Sequence, residues 1–166
     1  MTQKTRILIA LAVIIVTGGL VLGLEYLRGS RGLLPAGQVT LTPGSVPIYL
    51  DGELVAAFAP EALQTLQPAS FVDAEDGVVQ DGWLLRDVLL NYLPEDSLTL
   101  TTQITISSSV REKSAVLTWA EVKDSENMVL FDLSNRGTLK LVSRLEQLDT
   151  REEWVQDVDR IEVVTP

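Results

Sequence analysis

The stretch Gly77–Leu93, GVVQDGWLLRDVLLNYL, decides how the folded part of this chain is read. Val78 to Gln80 has strand character, and Asp81-Gly82 is a turn pair. From Trp83 onward Leu84, Leu85, Val88, Leu89 and Leu93 recur at helical spacing, with Arg86, Asp87 and Asn91 on the other side and Pro94 as the stop. Asp81, Arg86 and Asp87 thereby come close together, as a polar site would require. The simpler reading is that Asp81 makes the turn and caps the helix, where the helix dipole favours a carboxylate, while Arg86 and Asp87 are solvated.

Outward toward the N-terminus lie short runs of strand type, QVTLT (38–42), VPIYL (46–50) and ELVAAF (53–58). Asp51-Gly52, between the last two, is a two-residue hairpin signal. Pro60 opens a short helix, PEALQTL, and Pro68 ends it. An acidic loop, DAEDG (73–77), precedes the opening stretch.

Toward the C-terminus, SLTLTTQITIS (97–107) alternates like a strand with a bulge near Thr102, and SAVLTW (114–119) continues the sheet. Thr118 and Glu121 have capping-box spacing for one helical turn, and Thr150 and Glu153 repeat it ahead of Trp154. MVLFDL (128–133) reads as a buried strand, SNRG as a turn, TLKLVS (138–143) as the next strand, and VDRIEVV (158–164) as the last. The expected fold is α+β, a β-dominated mixed domain with short helices over residues 38–166.

A different kind of segment precedes that domain. Ile7–Leu24, ILIALAVIIVTGGLVLGL, carries no charge, and the run reaches Leu27 if Glu25 sits among lipid headgroups. At 1.5 Å per residue such a helix is roughly 27–32 Å long, matching a hydrocarbon core of about 30 Å. Residues 7–27 are therefore expected to be a transmembrane anchor, with residues 1–6 as a cytoplasmic tail and the glycine- and proline-punctuated 28–37 as a linker. A cleaved secretory signal is the alternative, but its apolar region is shorter and no Ala-x-Ala follows here. Lys4 and Arg6 before the span balance Arg28 and Arg31 after it, so the short leading tail and Glu25 decide the orientation. The expected location is the cell membrane, single-pass, with the C-terminal domain outside the cytoplasm. Gly19 and Gly23 form Gly-x-x-x-Gly, a face on which another membrane helix can pack closely.

Composition excludes more chemistry than it suggests. All 23 acidic residues and 11 of the 13 basic ones lie beyond residue 24, which leaves that part with a net charge of −12 and no basic stripe. Such a surface repels phosphate backbones, so no nucleic-acid partner is expected. The chain has no cysteine and no histidine. That removes thiolate nucleophiles, disulfides, iron–sulfur clusters, Ser-His-Asp triads and ordinary zinc or haem sites.

Several motifs together resemble the molybdopterin-binding domain of the sulfite oxidase family, and in particular its small exported homologues. They are a hairpin on a DG turn, F-x-P-E-x-L opening a short helix at 58–63, DGWLLRDVL at 81–89, LSNRGTLKLVS at 133–143 and WVQDVDRIEV at 154–163. The resemblance spans about residues 46–164 and implies that Trp83, Leu85, Leu89, Trp154 and Ile161 are framework positions. It also implies a pterin-type cofactor held by cationic groups and a molybdenum-ligating cysteine. This chain lacks the cysteine, and only nine basic residues, spread among 22 acidic ones, remain after Arg31. The scaffold is carried over and the enzymatic half of the signature is not.

Other clusters are weaker. DAEDG offers three carboxylates to a hard cation, but its Gly77 and the missing distal glutamate break the calcium-loop pattern, and a disordered acidic loop is expected. TISSSVREKS (105–114) brings three serines beside Arg111 and Lys113, yet a Ser-Lys hydrolase needs a buried lysine, and a polar hairpin loop is expected. An enzyme using carboxylates alone is a third reading, but no Asp/Glu pair stands out.

The expected function is that of a non-catalytic accessory or structural subunit of a membrane complex, binding membrane protein subunits through its extracytoplasmic domain, with no cofactor and no metal. The alternative is a small-ligand or pterin-type cofactor-binding domain of an exported redox system, its pocket lined by Trp83, Arg86, Arg111 and Trp119.

Overall fold

The computed structural model describes residues 39–166; the expected anchor at 7–27 with Gly19 and Gly23, the expected linker at 28–37 and residue 38 lie outside them. Two five-stranded sheets make the frame. In chain order the elements are β1 (Val46–Leu50), β2 (Glu53–Phe58), β3 (Pro68–Val72), β4 (Val79–Leu84), helix α1 (Leu85–Tyr92), β5 (Gln103–Ser108), β6 (Lys113–Thr118), helix α2 (Trp119–Lys123), β7 (Leu130–Leu133), β8 (Leu139–Val142), β9 (Val155–Val158) and β10 (Arg160–Val164). The first sheet runs β2-β1-β10-β5-β6 and the second β3-β4-β7-β8-β9. All neighbours are antiparallel except β1 and β10. The domain is β-dominated with few, short helices, and among the described residues no helix is long and apolar enough to cross a membrane.

Both sheets contribute to one core. Ile48, Ile104, Ile106, Ile161 and Val163 of the first sheet and Phe131, Leu139, Leu141 and Val155 of the second are buried in the same cluster. Leu85, Val88 and Leu89 of α1 and Trp119 and Val122 of α2 complete it. A smaller cluster of Phe71, Leu130, Val142 and Trp154 lies on the other side of the second sheet.

Local chemistry accounts for the elements that form as expected. Asp51 (φ 52°) and Gly52 (φ 82°) both take the left-handed region that a tight primed hairpin turn requires. The Asp51 carboxylate also accepts bonds from the Thr165 N–H at 2.8 Å and hydroxyl at 2.9 Å, pinning the end of β10. Thr118 and Glu121 form the expected capping box at the start of α2.

The opening stretch folds differently at its centre. Asp81-Gly82 is not a turn: both residues lie inside β4, and the helix starts at Leu85 with Leu84 at the cap and no side-chain capping bond. The reason lies across the ladder. A Cβ on Gly82 would stand 2.0 Å from the Phe131 carbonyl oxygen, so the glycine is there to let β4 lie against the β7 backbone. The Leu85 N–H then bonds to the Val129 carbonyl at 2.9 Å, which fixes where the strand becomes a helix.

Four further expectations are corrected. Residues 39–42 form no strand and lead into a turn at Pro43-Gly44. Pro68 begins the edge strand β3, where its missing N–H costs no ladder bond. The strand expected over 97–107 begins only at Gln103, because Thr99 to Thr102 close a turn through Thr102 N–H to Thr99 carbonyl and Thr99 N–H to Thr102 Oγ1, each 2.9 Å. The last strand is two, β9 and β10, which belong to different sheets and are joined through Asp159.

Candidate functional site

The four expected pocket residues are dispersed. Trp83 sits in β4 and is half-buried against the main core, and Trp119 is 3% exposed within that core. Arg86 lies on α1, its Nε 3.2 Å from Asp87 Oδ1. Arg111 lies in the β5–β6 turn and borders a recess of about 230 Å³ with Lys113, Arg151, Glu152, Trp154 and Gln156. The aromatic member at that place is Trp154, not Trp83 or Trp119.

This recess is built by the turn before β9, the first half of β9 and the β5–β6 hairpin, brought together because β9 runs straight on into β10, the partner of β5. A bulge in β9 lies next to it. Leu139 pairs with Val158 and Lys140 with Gln156, so Asp157 is the extra residue, at φ 55°, and its side chain is turned out of the ladder. Asp157 accepts from Thr138 Oγ1 at 2.8 Å and from Arg111 Nε at 2.7 Å, and Arg136 stands 3.1 Å away. The Thr138 and Arg111 bonds, with the charges of Arg136 and Arg111, hold its carboxyl below the usual aspartate range against the opposing effect of burial. The next carboxylate, Asp159, accepts the Ser109 N–H at 2.8 Å and the Ser109 hydroxyl. The polar hairpin loop expected at TISSSVREKS is thus a clamped corner, and Lys113 is exposed enough to donate to the Glu152 carbonyl rather than face a serine.

Trp154 forms the wall. Its indole N–H donates to the Leu148 carbonyl at 3.1 Å, and its ring lies under Lys140 Nζ at 4.5 Å and the Arg151 guanidinium at 5.9 Å. Lys140 continues inward, 2.8 Å from Asp132 Oδ2 and 2.9 Å from Gln80 Oε1, while Gln80 Nε2 donates to Asp73 Oδ2 at 3.0 Å. The Thr150–Glu153 capping bonds form as expected, but they close a turn that presents Arg151 rather than a helix.

Arg151 links the recess to the acidic loop 73–77. Its N–H donates to Glu75 Oε2 at 2.9 Å and its Nε is 3.5 Å from Asp76. The loop is ordered, not the disordered segment expected. Asp73, 4% exposed, accepts the N–H groups of Asp76 at 2.8 Å and Glu75 at 3.0 Å. Those bonds and the one from Gln80, the Asp76 N–H foremost, lower its pKa. Among the described residues no group of carboxylates is arranged to hold a metal ion.

The β3–β4 arm that carries this loop has one uncovered side. Residues paired across an antiparallel ladder share a face, and faces alternate along each strand. Trp83, packed on the main core, therefore shares its face with Asp81, Val79, Ser70 and Val72. Those four are exposed, Val72 and Val79 by 55% and 54%, whereas Phe71 and Gln80 on the opposite face are buried. Val78, 46% exposed, extends the apolar patch at the tip.

No protein-family model matches the chain, and no curated protein is significantly similar to it. Sequence reasoning paired Arg111 with Lys113 but missed Arg151, Trp154 and Gln156 as their neighbours, because only the β9–β10 crossover between sheets brings residue 151 beside residue 111.

Proposed function

We propose that this chain is a membrane-tethered domain that works by binding, a non-catalytic accessory or structural subunit of a membrane complex. Residues 7–27 hold it at the extracytoplasmic surface, and residues 39–166 are a degenerate form of the sulfite oxidase-type molybdopterin-binding fold. Three features support the fold assignment: DGWLLRDVL spans the β4–α1 junction, LSNRGTLKLVS the β7–β8 hairpin and WVQDVDRIEV the β9–β10 crossover. The lack of cysteine and histidine supports a role without turnover.

The observation that carries the docking role is the uncovered face of the β3–β4 arm. A valine pair directly opposed across a ladder, Val72 with Val79, is exposed on the face whose other end, at Trp83, packs on the core. Burying a valine side chain fully contributes about 1.5–3 kcal/mol, so covering two half-exposed ones yields roughly 2 kcal/mol. Asp81 on the same face and Glu75 and Asp76 at the tip give the patch an acidic rim. The occupant is accordingly a partner subunit with an apolar centre and a basic rim.

A photo-crosslinking amino acid placed at Val79 of the full-length chain in its native membrane tests this. The expected result is one protein crosslink of fixed mass from Val79 and none from Val116, which is equally exposed on β6. Equal yields from both positions, or none from either, contradict docking through the arm. Molybdenum or pterin co-purifying in stoichiometric amount would overturn the non-catalytic assignment.

A further inference from the structure

We infer that the recess between β9 and the β5–β6 hairpin is a binding site for a single oxyanion, a carboxylate or phosphate group on a compact solute, distinct from the docking face. The described domain has nine basic residues against 22 acidic ones, and three of the nine, Arg111, Lys113 and Arg151, line this one cavity. Glu152 is the one carboxylate among the lining residues, so the lining has a net charge of +2 inside a domain of net charge −13.

The cations are placed by bonds that leave donors free. Arg111 commits Nε to Asp157, and its two terminal nitrogens have no protein partner among the described residues. Asp157 is shared with Arg136, so it does not cancel the charge of Arg111. Arg151 is held by its backbone bond to Glu75 and by Trp154, and its side chain keeps only a long 3.5 Å contact with Asp76. Gln156 and the Lys113 ammonium add neutral and cationic donors at the same wall. A planar guanidinium with free terminal N–H groups matches carboxylate and phosphate oxygens in pairs.

The surrounding field sets the size of the ligand. Charges separated by more than about 8 Å are largely screened at physiological ionic strength, so an anion inside the recess meets Arg111, Lys113 and Arg151 set against Glu152 and the nearby Asp157 and Asp76. A polyanion would extend beyond them over acidic surface and be repelled. The ligand is a small solute with one anionic group. Trp154 is 3% exposed and so offers no open ring face, and the site selects for charge and not for an aromatic ring.

The test uses the full-length, ¹⁵N-labelled chain in an uncharged detergent at constant ionic strength, titrated separately with inorganic phosphate and with acetate. Saturable shifts of the Trp154 indole N–H and of the amides of Arg111, Lys113 and Gln156 are expected with at least one of them, and the tighter probe tells tetrahedral from planar recognition. Lys113→Gln and Arg151→Gln should each weaken binding about fivefold, as for partly exposed charge pairs, while Lys123→Gln, outside the recess, leaves it unchanged. Shifts that never saturate with either probe overturn the inference, as does equal weakening by Lys123→Gln. Neither result touches the Val79 crosslink, so loss of the anion site and loss of the docking role are separable.

Discussion

Gly82 carries the sharpest constraint on any single residue. Its missing Cβ accommodates the Phe131 carbonyl, so Gly82→Ala must push β4 away from β7 or break the Trp83–Phe131 pairing. A loss of about 3 kcal/mol is expected, at the upper end of overpacking effects, read by urea unfolding of the full chain followed by tryptophan fluorescence. Asp157 makes a different prediction. Its pKa is lower folded than unfolded, so its contribution to stability is complete above about pH 4 and is lost as pH falls through the folded value. Asparagine tolerates the left-handed backbone at this position, so Asp157→Asn removes the charge without new strain. The variant should be less stable than the wild type at neutral pH, with the gap closing below about pH 4 in urea titrations. A gap that stays constant with pH would mean that the carboxylate charge contributes nothing.

At the scale of elements, the Thr118 cap joins β6 to α2, and Thr118→Ala should cost about 1 kcal/mol and speed amide exchange in residues 119–123. That cap and the Asp51-Gly52 hairpin were legible in the sequence because each is a local device: the residues that make the bonds lie within three positions of one another. The elements that were not legible depend on distant partners. Asp81-Gly82 has turn composition, and only the approach of Phe131, some fifty residues away, makes it strand. PASFV carries a proline that reads as a stop, and its edge position in the sheet is what lets it be a strand. VDRIEVV shows no break at Asp159, although the chain there passes from one sheet to the other. Of the candidate site, Arg111 and Lys113 were visible as an isolated basic pair in a serine-rich loop. Arg151 and Trp154 could not be joined to them without the crossover.

At the scale of the described domain, charge is unevenly spread. Nine basic residues are too few to neutralise the domain, and a third of them converge on the recess, leaving the β3–β4 arm with acidic residues around exposed valines. This distribution suits the proposed tethered binding domain, in which the apolar arm would engage a protein with a basic rim and the recess would admit a small anion that a bulk acidic surface would reject. Arg151, bonded to the arm's loop and lining the recess, lies between the two. The double substitution of Val72 and Val79 by serine should weaken docking by roughly tenfold to thirtyfold, the equivalent of the apolar surface removed, without altering the fold, since both side chains already face water.

The particle mass of the detergent-extracted protein tests the central claim most directly. The wild-type chain, taken from its native membrane in mild detergent, should run as a particle heavier than chain plus micelle by one fixed increment, and the Val72→Ser/Val79→Ser chain should fall to the mass of chain plus micelle alone. Wild type and variant both at the lone-chain mass, or both at the heavier one, would contradict a domain that docks through the uncovered face of its β3–β4 arm.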